Sequence, residues 1–336
     1  MKKTIISGLA IGLTLLFVTM TAYPWNYATH AYIAAKIGKK LPLPNANEMY
    51  GCMAPDIFNL EFNLMDDMLL RAFTHGIPKD DPINAPSQAF MRVWWKANTP
   101  FQKFLAFGYL AHNDAWGADY VAHWKAIPCP PPFEAPYQDQ PPGYIIALAV
   151  EMDKILEAQG VWYNLQQAGI PLGIPERMMF CHNIVEYAGD IIIKRADPLI
   201  GQKIIDACLL RSPEFPRLLK KAYPAQYRPL IEPAEETFRQ QMIQYGGLLL
   251  LPESTAIQFI SQQLAGFAID YLAFLFGVDP LNFEPYRPTL ESIANGAMNA
   301  GVQLCEAFHY LDEVKVTALY VQCKLMRHQV YYFRWR

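Results

Sequence analysis

The chain consists of long segments of helical character separated by short breaks rich in proline or glycine. Helices are predicted from about residue 29, with Thr29 as a candidate cap, to residue 40, over 98–126, 144–158 and 176–195, and through most of the chain beyond residue 197. Apolar and polar residues do not alternate over the length of a strand, and no internal repeat is evident. The sequence therefore predicts an all-α protein.

The breaks between these segments are marked mainly by proline. A proline-rich connection is predicted over 41–47, and seven prolines fall between Pro128 and Pro142. Such a density excludes a helix or a central strand. The second run is therefore a stiff loop, which either forms a wall of a cleft or only connects two helices.

The N-terminus has the pattern of a secretory signal peptide. Two lysines precede an apolar run from Ile5 to about Val18, which small residues follow. The run is shorter than the roughly 20 apolar residues of a membrane span, which favours cleavage over an anchor. We predict a signal peptide over residues 1–24, with cleavage at 22–24, and hence an exported protein, periplasmic or secreted.

Composition and charge limit the classes of function. The 336 residues are 52% hydrophobic and 18% charged with a net charge of −3, enough for a large core in one large domain or two small ones. This near-neutral, unsegregated charge does not indicate steering toward nucleic acid or an anionic membrane. A phosphate ester is still admissible as a substrate, because a bound metal would supply positive charge locally. Polar residues interrupt the apolar stretch over 246–278, which predicts buried helices instead of a membrane span.

Export leaves two interpretations for the six cysteines: disulfide pairing in an oxidising compartment, or ordinary buried thiols. No two of them have the Cys-x-x-Cys spacing of a thiolate zinc site or a redox motif. The sequence therefore directs attention to histidine and carboxylate side chains.

The stretch richest in candidate chemistry runs from His112 to His123. On a continuous helix, at roughly 100° per residue, Asp119 lies about 20° to one side of His112 and His123 about 20° to the other. Asp114 lies about 200° away and would need a local distortion to join them. Imidazole and carboxylate on one rigid stripe suit a divalent metal, and the apolar flanks argue against a solvated polar face.

A second helical pair has the spacing of metal ligands. His182 and Glu186 are four residues apart and therefore on one face, with Asp190 one step further along. This spacing also arises often by chance, so it gains weight only together with other candidates.

Three more candidates lie beside turns. His30 falls in a first helical turn, Asp56 follows Pro55 at a loop or helix start, and His75 precedes Gly76 in the manner of a helix C-terminus. Each has an ordinary structural explanation when taken alone; Asp56, for example, would serve equally well as an N-cap.

Taken in order, these candidates resemble the zinc-dependent phospholipase C family, within the superfamily that also contains the S1/P1 nucleases. Five short motifs between residues 25 and 195 carry the resemblance. They are Trp-x4-His at 25–30, Gly-x3-Pro-Asp at 51–56, Phe-Thr-His at 73–75, the His…Asp-x3-His segment at 112–123 and His-x3-Glu at 182–186. Each motif is weak, but five in the right order are fairly specific.

The resemblance implies an all-helical fold of the phospholipase C/P1 nuclease type with up to three zinc ions in a cleft. The implied ligands are His75, His112, Asp119 and Asp56 for the first zinc, His123, His182 and Glu186 for the second, and His30 with the backbone of Trp25 for the third, Asp119 bridging the third zinc to the first. The metal-binding catalytic core would span residues 25–200. Residues 201–336, outside the match, would form a helical part packed on the core, of unknown role.

Three departures from the family pattern bear on this assignment. The family usually places its aspartate closer after the first helix histidine, whereas here position 116 is tryptophan and Asp119 comes three residues later. Asp114 is therefore an alternative ligand to Asp119, or both aspartates are ligands. The third zinc depends on a free α-amine at Trp25. The short Trp-to-His spacing is similar to the nuclease branch, whereas Glu186 is similar to the phospholipase branch.

The activity that the resemblance implies is hydrolysis of a phosphodiester, such as a phospholipid head group, with Asp56 as general base or simply as a ligand. Phospholipid or another phosphodiester is the expected partner, with contact to a membrane surface, and no nucleic acid is expected. One alternative is an S1/P1-like zinc nuclease or nucleotidase. The bases of its nucleic-acid substrate would stack on Tyr27, Trp116 or Tyr120. The other alternative is a non-catalytic exported helical metal-binding protein.

Overall fold

The computed structural model describes residues 26–59, 64, 67–124 and 143–330. The predicted signal peptide, Trp25 and the proline-rich segment with Cys129 lie outside these residues. The described part is helical, and its one β-type contact is an isolated antiparallel bridge between Ile77 and Ser87. The prediction of an all-α protein is therefore confirmed.

The α-helices of the described part are listed here in chain order. They are α1 (Tyr27–Ile37), α2 (Pro42–Met53), α3 (Met68–Thr74), α4 (Met91–Lys96), α5 (Pro100–His112), α6 (Tyr144–Ala158), α7 (Val161–Gln167), α8 (Ile174–Ala196), α9 (Ile200–Leu210), α10 (Phe215–Ala222), α11 (Arg228–Leu250), α12 (Glu253–Phe276), α13 (Arg287–Ala307) and α14 (Tyr310–Arg327). A 3-10 helix, Ala54–Phe58, follows α2, and a π-helical turn, Tyr120–Trp124, follows α5.

Two predictions about the first helices are wrong. The proline-rich connection over 41–47 is instead the start of α2, whose Pro42 and Pro44 lie in the first turn. Proline is tolerated there because the first backbone N–H groups of a helix have no intrahelical acceptor. Helix α1 ends at Ile37, short of residue 40, and its N-cap is Asn26, whose side chain accepts a hydrogen bond from the Tyr27 amide, instead of Thr29.

Helix α8 lies at the centre of the packing. It contacts α1, α6, α13 and α14, while α9 packs on both α2 and α11. Tyr310, at the start of α14, packs so closely on α8 that a Cβ added to Gly189 would lie 2.0 Å from its ring. The helices beyond residue 200 therefore complete the same core as the helices before it.

Helix α12 is the one helix of the described part that is long and apolar enough to cross a membrane, and 44% of its most apolar window is buried. The core helix of a soluble protein passes the same test of length and composition. Its length and composition are therefore weak evidence for a membrane span.

The described cysteines are free thiols: Cys52, Cys181, Cys208 and Cys305 are buried and Cys323 is exposed. Burial raises the pKa of the Cys52 thiol well above its ordinary value. The buried thiols therefore act as small apolar side chains.

Helices α2 and α5 cross in contact through two glycines. A Cβ on Gly108 would lie 1.9 Å from the Glu48 carbonyl oxygen, and one on Gly51 would lie 2.1 Å from the Leu105 carbonyl oxygen. Backbone therefore packs directly on backbone at this crossing. Because α2 leads into Asp56 and α5 ends at His112, the crossing also sets the distance between those two side chains.

We expect Gly108→Ala to force α2 and α5 apart and to lower the free energy of unfolding by about 1–3 kcal/mol, as overpacking does elsewhere. Urea denaturation followed by circular dichroism measures this loss. Gly296→Ala is the matched control, because a Cβ on that helical glycine meets no atom within 4 Å. The control should raise stability by up to about 1 kcal/mol through helix propensity. Equal effects of the two substitutions would contradict the close crossing.

Candidate metal centre

The helix predicted over 98–126 is interrupted after His112, and this interruption determines where Asp119 and His123 lie. Helix α5 ends at His112, and the Asn113 side chain accepts hydrogen bonds from the Trp116 and Gly117 amides at 2.9 and 3.2 Å. The chain then turns before the π-helical segment Tyr120–Trp124. The prediction of a single stripe on a continuous helix is therefore wrong.

The first group of candidate ligands surrounds Asp119. One carboxylate oxygen lies 3.2 Å from His30 Nε2 and the other lies 2.7 Å from His112 Nε2. The two imidazole rings stack with their centroids 4.0 Å apart, and all three side chains are fully buried. Asp119 thus lies between histidines from α1 and α5.

A second group shares His112 with the first. Asp56 Oδ1 lies 3.1 Å from His75 Nε2 and 3.6 Å from His112 Nε2. His75 follows the last turn of α3, where Gly76 adopts the left-handed conformation with φ of 77° that favours glycine. Because the neutral His112 ring offers one lone pair, at Nε2, it could hold an ion in only one of these two groups at a time.

The third group joins the π-helical turn to α8. His123 Nε2 and His182 Nε2 are 3.2 Å apart, and Glu186 Oε1 lies 3.5 Å from His182 Nε2. The spacing of four residues predicted that His182 and Glu186 share a face, and the structure places them in contact. In each of the three groups the candidate ligand atoms lie within 4.8 Å of one another.

Several buried ligand atoms in these groups lack a hydrogen bond in the described part of the chain. They include His30 Nε2, His112 Nε2, both Asp119 oxygens and Glu186 Oε1. His112 Nδ1 lies 2.7 Å from the Cys52 carbonyl oxygen, to which it can only donate, so Nε2 of the neutral ring carries a lone pair facing the Asp119 carboxylate. An unsatisfied buried polar atom costs about 1–3 kcal/mol, and a cation between the facing lone pairs removes that cost. The groups therefore have the composition and the unmet bonding capacity of metal sites.

The pKa directions of the candidate ligands also fit metal binding. Burial lowers the pKa of His30, His112 and His182, so these imidazoles are neutral and able to act as ligands. Burial also raises the pKa of Asp119 and Glu186 well above the ordinary range of a carboxyl. Without a cation these acids retain protons, and metal binding would release them.

Asp114 belongs to none of the three groups, whereas Asp119 belongs to the first. Its carboxylate accepts hydrogen bonds from Arg71 Nη2 at 3.0 Å, His123 Nδ1 at 3.1 Å and Trp124 Nε1 at 3.3 Å. Burial opposes its ionisation, but the Arg71 guanidinium and the His123 ring hold the pKa of Asp114 below its ordinary value. Asp114 therefore orients His123 with Nε2 directed at His182, as an outer carboxylate does for a metal-bound histidine.

Asp190 positions His30 from the other side, and the sequence motifs did not indicate this role. Its buried carboxylate accepts hydrogen bonds from the Ala28 and Thr29 amides at 2.9 and 2.8 Å, from the Thr29 hydroxyl and from the Tyr245 hydroxyl. Burial nevertheless raises the pKa of Asp190 to about 6. The only available signal was its place one turn after Glu186 on the same face of α8.

Two of the groups reach, through Asp56 and Glu186, a cleft of about 400 Å³ between α1, α8, α11 and α12. Asp56 and Glu186 line it together with Asn26, Tyr27, Asn59, Asn183, Tyr187, Gln241, Met242, Gln244, Tyr245, Gln263, Leu264, Gly266, Phe267 and Asp270. None of these described lining residues is lysine or arginine. The cleft therefore presents carboxylates, amides and aromatic rings to whatever enters it.

The structure thus brings together eight of the predicted site residues, and Trp25 lies outside the described chain. They are His30, Asp56, His75, His112, Asp119, His123, His182 and Glu186. Comparison with protein-family models, with curated proteins and with solved structures finds no match to this chain. The function is therefore argued from the geometry of the site.

We expect His112→Ala to reduce the content of tightly bound zinc, because His112 Nε2 faces both Asp56 and Asp119 and is a candidate ligand in two of the three groups. Metal analysis after dialysis measures the content. His309→Asn is the matched control, since His309 lies at an exposed left-handed position, with φ of 57°, that asparagine also tolerates. Unchanged zinc in His112→Ala would contradict the assignment.

We expect Asp114→Asn to weaken zinc binding at the His123 group by about 10–100-fold, the usual effect of losing an outer carboxylate. Isothermal titration calorimetry of the zinc-free protein measures the affinity. Arg71→Gln, which keeps the carboxylate but removes its cation, should have the smaller effect. If both variants bound zinc as the unaltered protein does, Asp114 would have no orienting role.

Proposed function

We propose that this chain is an exported zinc-dependent phosphodiesterase of the phospholipase C type, which hydrolyses the head-group phosphodiester of a phospholipid. The observation that carries the proposal is a set of three largely buried histidine–carboxylate groups, several of whose ligand atoms lack a hydrogen bond among the described residues. Two of the groups reach, through Asp56 and Glu186, a cleft whose described lining has no basic side chain. Histidine and carboxylate without thiolate form a donor set that suits zinc.

The charge of the cleft supports a metal-dependent reaction. Asp56, Glu186 and Asp270 line it, and a phosphate group entering the cleft would meet acidic and neutral side chains but no basic one among the described lining residues. Binding of an anionic ester therefore requires positive charge from bound cations. Zinc, when bound, would supply that charge and lower the pKa of a bound water toward neutrality.

The protein's own residues would hold and orient the reacting groups. Asp56 belongs both to the cluster, through its contact with His75, and to the cleft wall, so it is the carboxylate placed to accept a proton near the substrate. Glu186 has the same dual position in the third group. Asp114 and Asp190 would fix the rings of His123 and the backbone before His30, so that little reorganisation is needed on binding.

The lining favours a lipid over a nucleic acid. A polynucleotide needs a basic track for its phosphates, which the described lining lacks. Two of the three predicted base-stacking rings are engaged elsewhere: Trp116 is buried and stacks on His328 at 4.5 Å, and the Tyr120 hydroxyl donates to Asp80. Tyr27 does line the cleft, beside apolar side chains such as Met242 and Leu264.

The proposal is tested by assaying the zinc-loaded exported protein against phosphatidylcholine, other phospholipids and single-stranded DNA. We expect release of the phosphorylated head group from phospholipid and no cleavage of DNA. Preferential cleavage of DNA would support the nuclease alternative. Stoichiometric zinc without activity on any substrate would support a structural metal site.

We expect His123→Ala and Glu186→Ala to lose bound zinc and activity together, with kcat/KM falling about 100-fold or more, since metal stabilisation of transition-state charge is worth several kcal/mol. Glu236→Ala is the control, because Glu236 is an exposed acid paired with Arg239 on the surface of α11. A variant at position 123 or 186 with full zinc and full rate would overturn the assignment of the third group.

A further inference from the structure

A narrow apolar pocket adjoins the metal cleft. It lies between α7, α8, α12 and α13, has a volume of about 50 Å³, and is lined by Trp162, Leu165, Phe180, Ala268, Leu272 and Ile293 among others. Since a water needs roughly 10–15 Å³ on this measure, the pocket admits a slender group a few atoms long and excludes a ring system. Almost all of its exposed lining is apolar.

The pocket and the cleft are neighbours. Asn183, Leu264 and Phe267 line both of them, and Asp56 and Glu186 also line the cleft. One molecule with a polar end at the metal groups could therefore extend an apolar end past Leu264 into the pocket. A ligand of this kind is amphiphilic.

Side-chain contacts hold the pocket wall in place. Trp162 packs edge-on against Phe180 with ring centroids 5.9 Å apart, and the Arg177 guanidinium covers the other part of the indole at 5.1 Å. Arg177 is in turn fixed by two hydrogen bonds of 2.9 Å to Asp153. A rigid wall reduces the ordering cost of binding a flexible chain.

The apolar face of α12 continues beyond the pocket toward the surface. Leu264, Ala268 and Tyr271 line the pocket at helical spacings of three and four residues, and Phe274 follows three residues later with 47% of its surface exposed. A hydrocarbon chain leaving the pocket along this face would thus remain in contact with apolar side chains.

We propose that this pocket binds one hydrocarbon chain of the substrate, while the phosphodiester of the same molecule lies in the metal cleft. The proposal deepens the proposed function and rests on it for the position of the polar end. An acyl or alkyl chain is the expected occupant, because the pocket is slender and apolar and shares wall residues with a polar cleft.

The first test is independent of zinc and of activity. The probe is an alkylphosphocholine brominated near the end of its chain, with the unbrominated compound as reference, added to the zinc-free protein below the micelle concentration. Bromine in the pocket should quench the fluorescence of Trp162, and Trp162→Phe should abolish that part of the quenching. Equal quenching in Trp162→Phe and the unaltered protein would overturn the proposal.

The second test fills the pocket. Ala268→Phe should raise the probe concentration for half-maximal quenching about tenfold or more, the scale on which apolar pockets discriminate small volume changes. Gln258→Phe adds the same ring at an exposed position of α12 outside both cavities and should leave quenching unchanged. Ala268→Leu, with a thermal unfolding check, replaces Ala268→Phe if the larger side chain prevents folding. Full affinity in a folded filled variant would contradict the pocket assignment.

A third measurement separates this proposal from the proposed function. Against dibutanoyl and dioctanoyl phosphatidylcholine as monomers, Ala268→Phe should raise KM for the longer chains and leave the shorter ones unaffected. Quenching without any hydrolysis would retain the chain pocket and overturn the phosphodiesterase. Hydrolysis without chain-length preference and without quenching would retain the phosphodiesterase and overturn the pocket.

Discussion

The structure depends on one electrostatic constraint. Carboxylates and neutral imidazoles are buried side by side, and several of their oxygen and nitrogen atoms have no hydrogen bond among the described residues. Asp119 lies between His30 and His112 with neither of its oxygens in a hydrogen bond. Burial lowers the pKa of His30 and His112 and raises the pKa of Asp119, so it disfavours the charged form of all three side chains. A cation held by each group would bond to these ligand atoms, which would account for the polar side chains inside an otherwise apolar core.

The fold holds that arrangement from outside by rigid backbone contacts. The α2–α5 crossing at Gly51 and Gly108 fixes the Cys52 carbonyl, and this carbonyl selects the tautomer of His112. Asp190 pins the first turn of α1, and Tyr310, from the C-terminal helices, packs on Gly189 and reaches Thr29 at 3.0 Å. Residues far apart in sequence thus determine ring orientations at the centre, and the C-terminal part contributes to the site without supplying a ligand.

The sequence predicted the elements better than their interruptions. Helix α6 has the predicted bounds of 144–158, and the spacing of His182 and Glu186 correctly placed them on one face, because these arguments use periodicity within one helix. The break at Asn113 was missed because angular reasoning assumes a continuous helix, and the capping role of an asparagine side chain is common to many positions. The role of Asp190 was missed for a different reason. Its partners are backbone amides 162 and 161 residues away, and no local sequence pattern predicts such contacts.

The cleft combines carboxylates with apolar side chains. Asp56, Glu186 and Asp270 line it, while Leu264 and Phe267 line both the cleft and the adjoining apolar pocket. A phosphodiester without a hydrocarbon portion would leave these apolar side chains exposed to water. A hydrocarbon without phosphate would leave bound cations without an anionic ligand. The proposed amphiphilic substrate has both parts, so it would meet bound cations with its phosphodiester and the apolar side chains with its hydrocarbon chain.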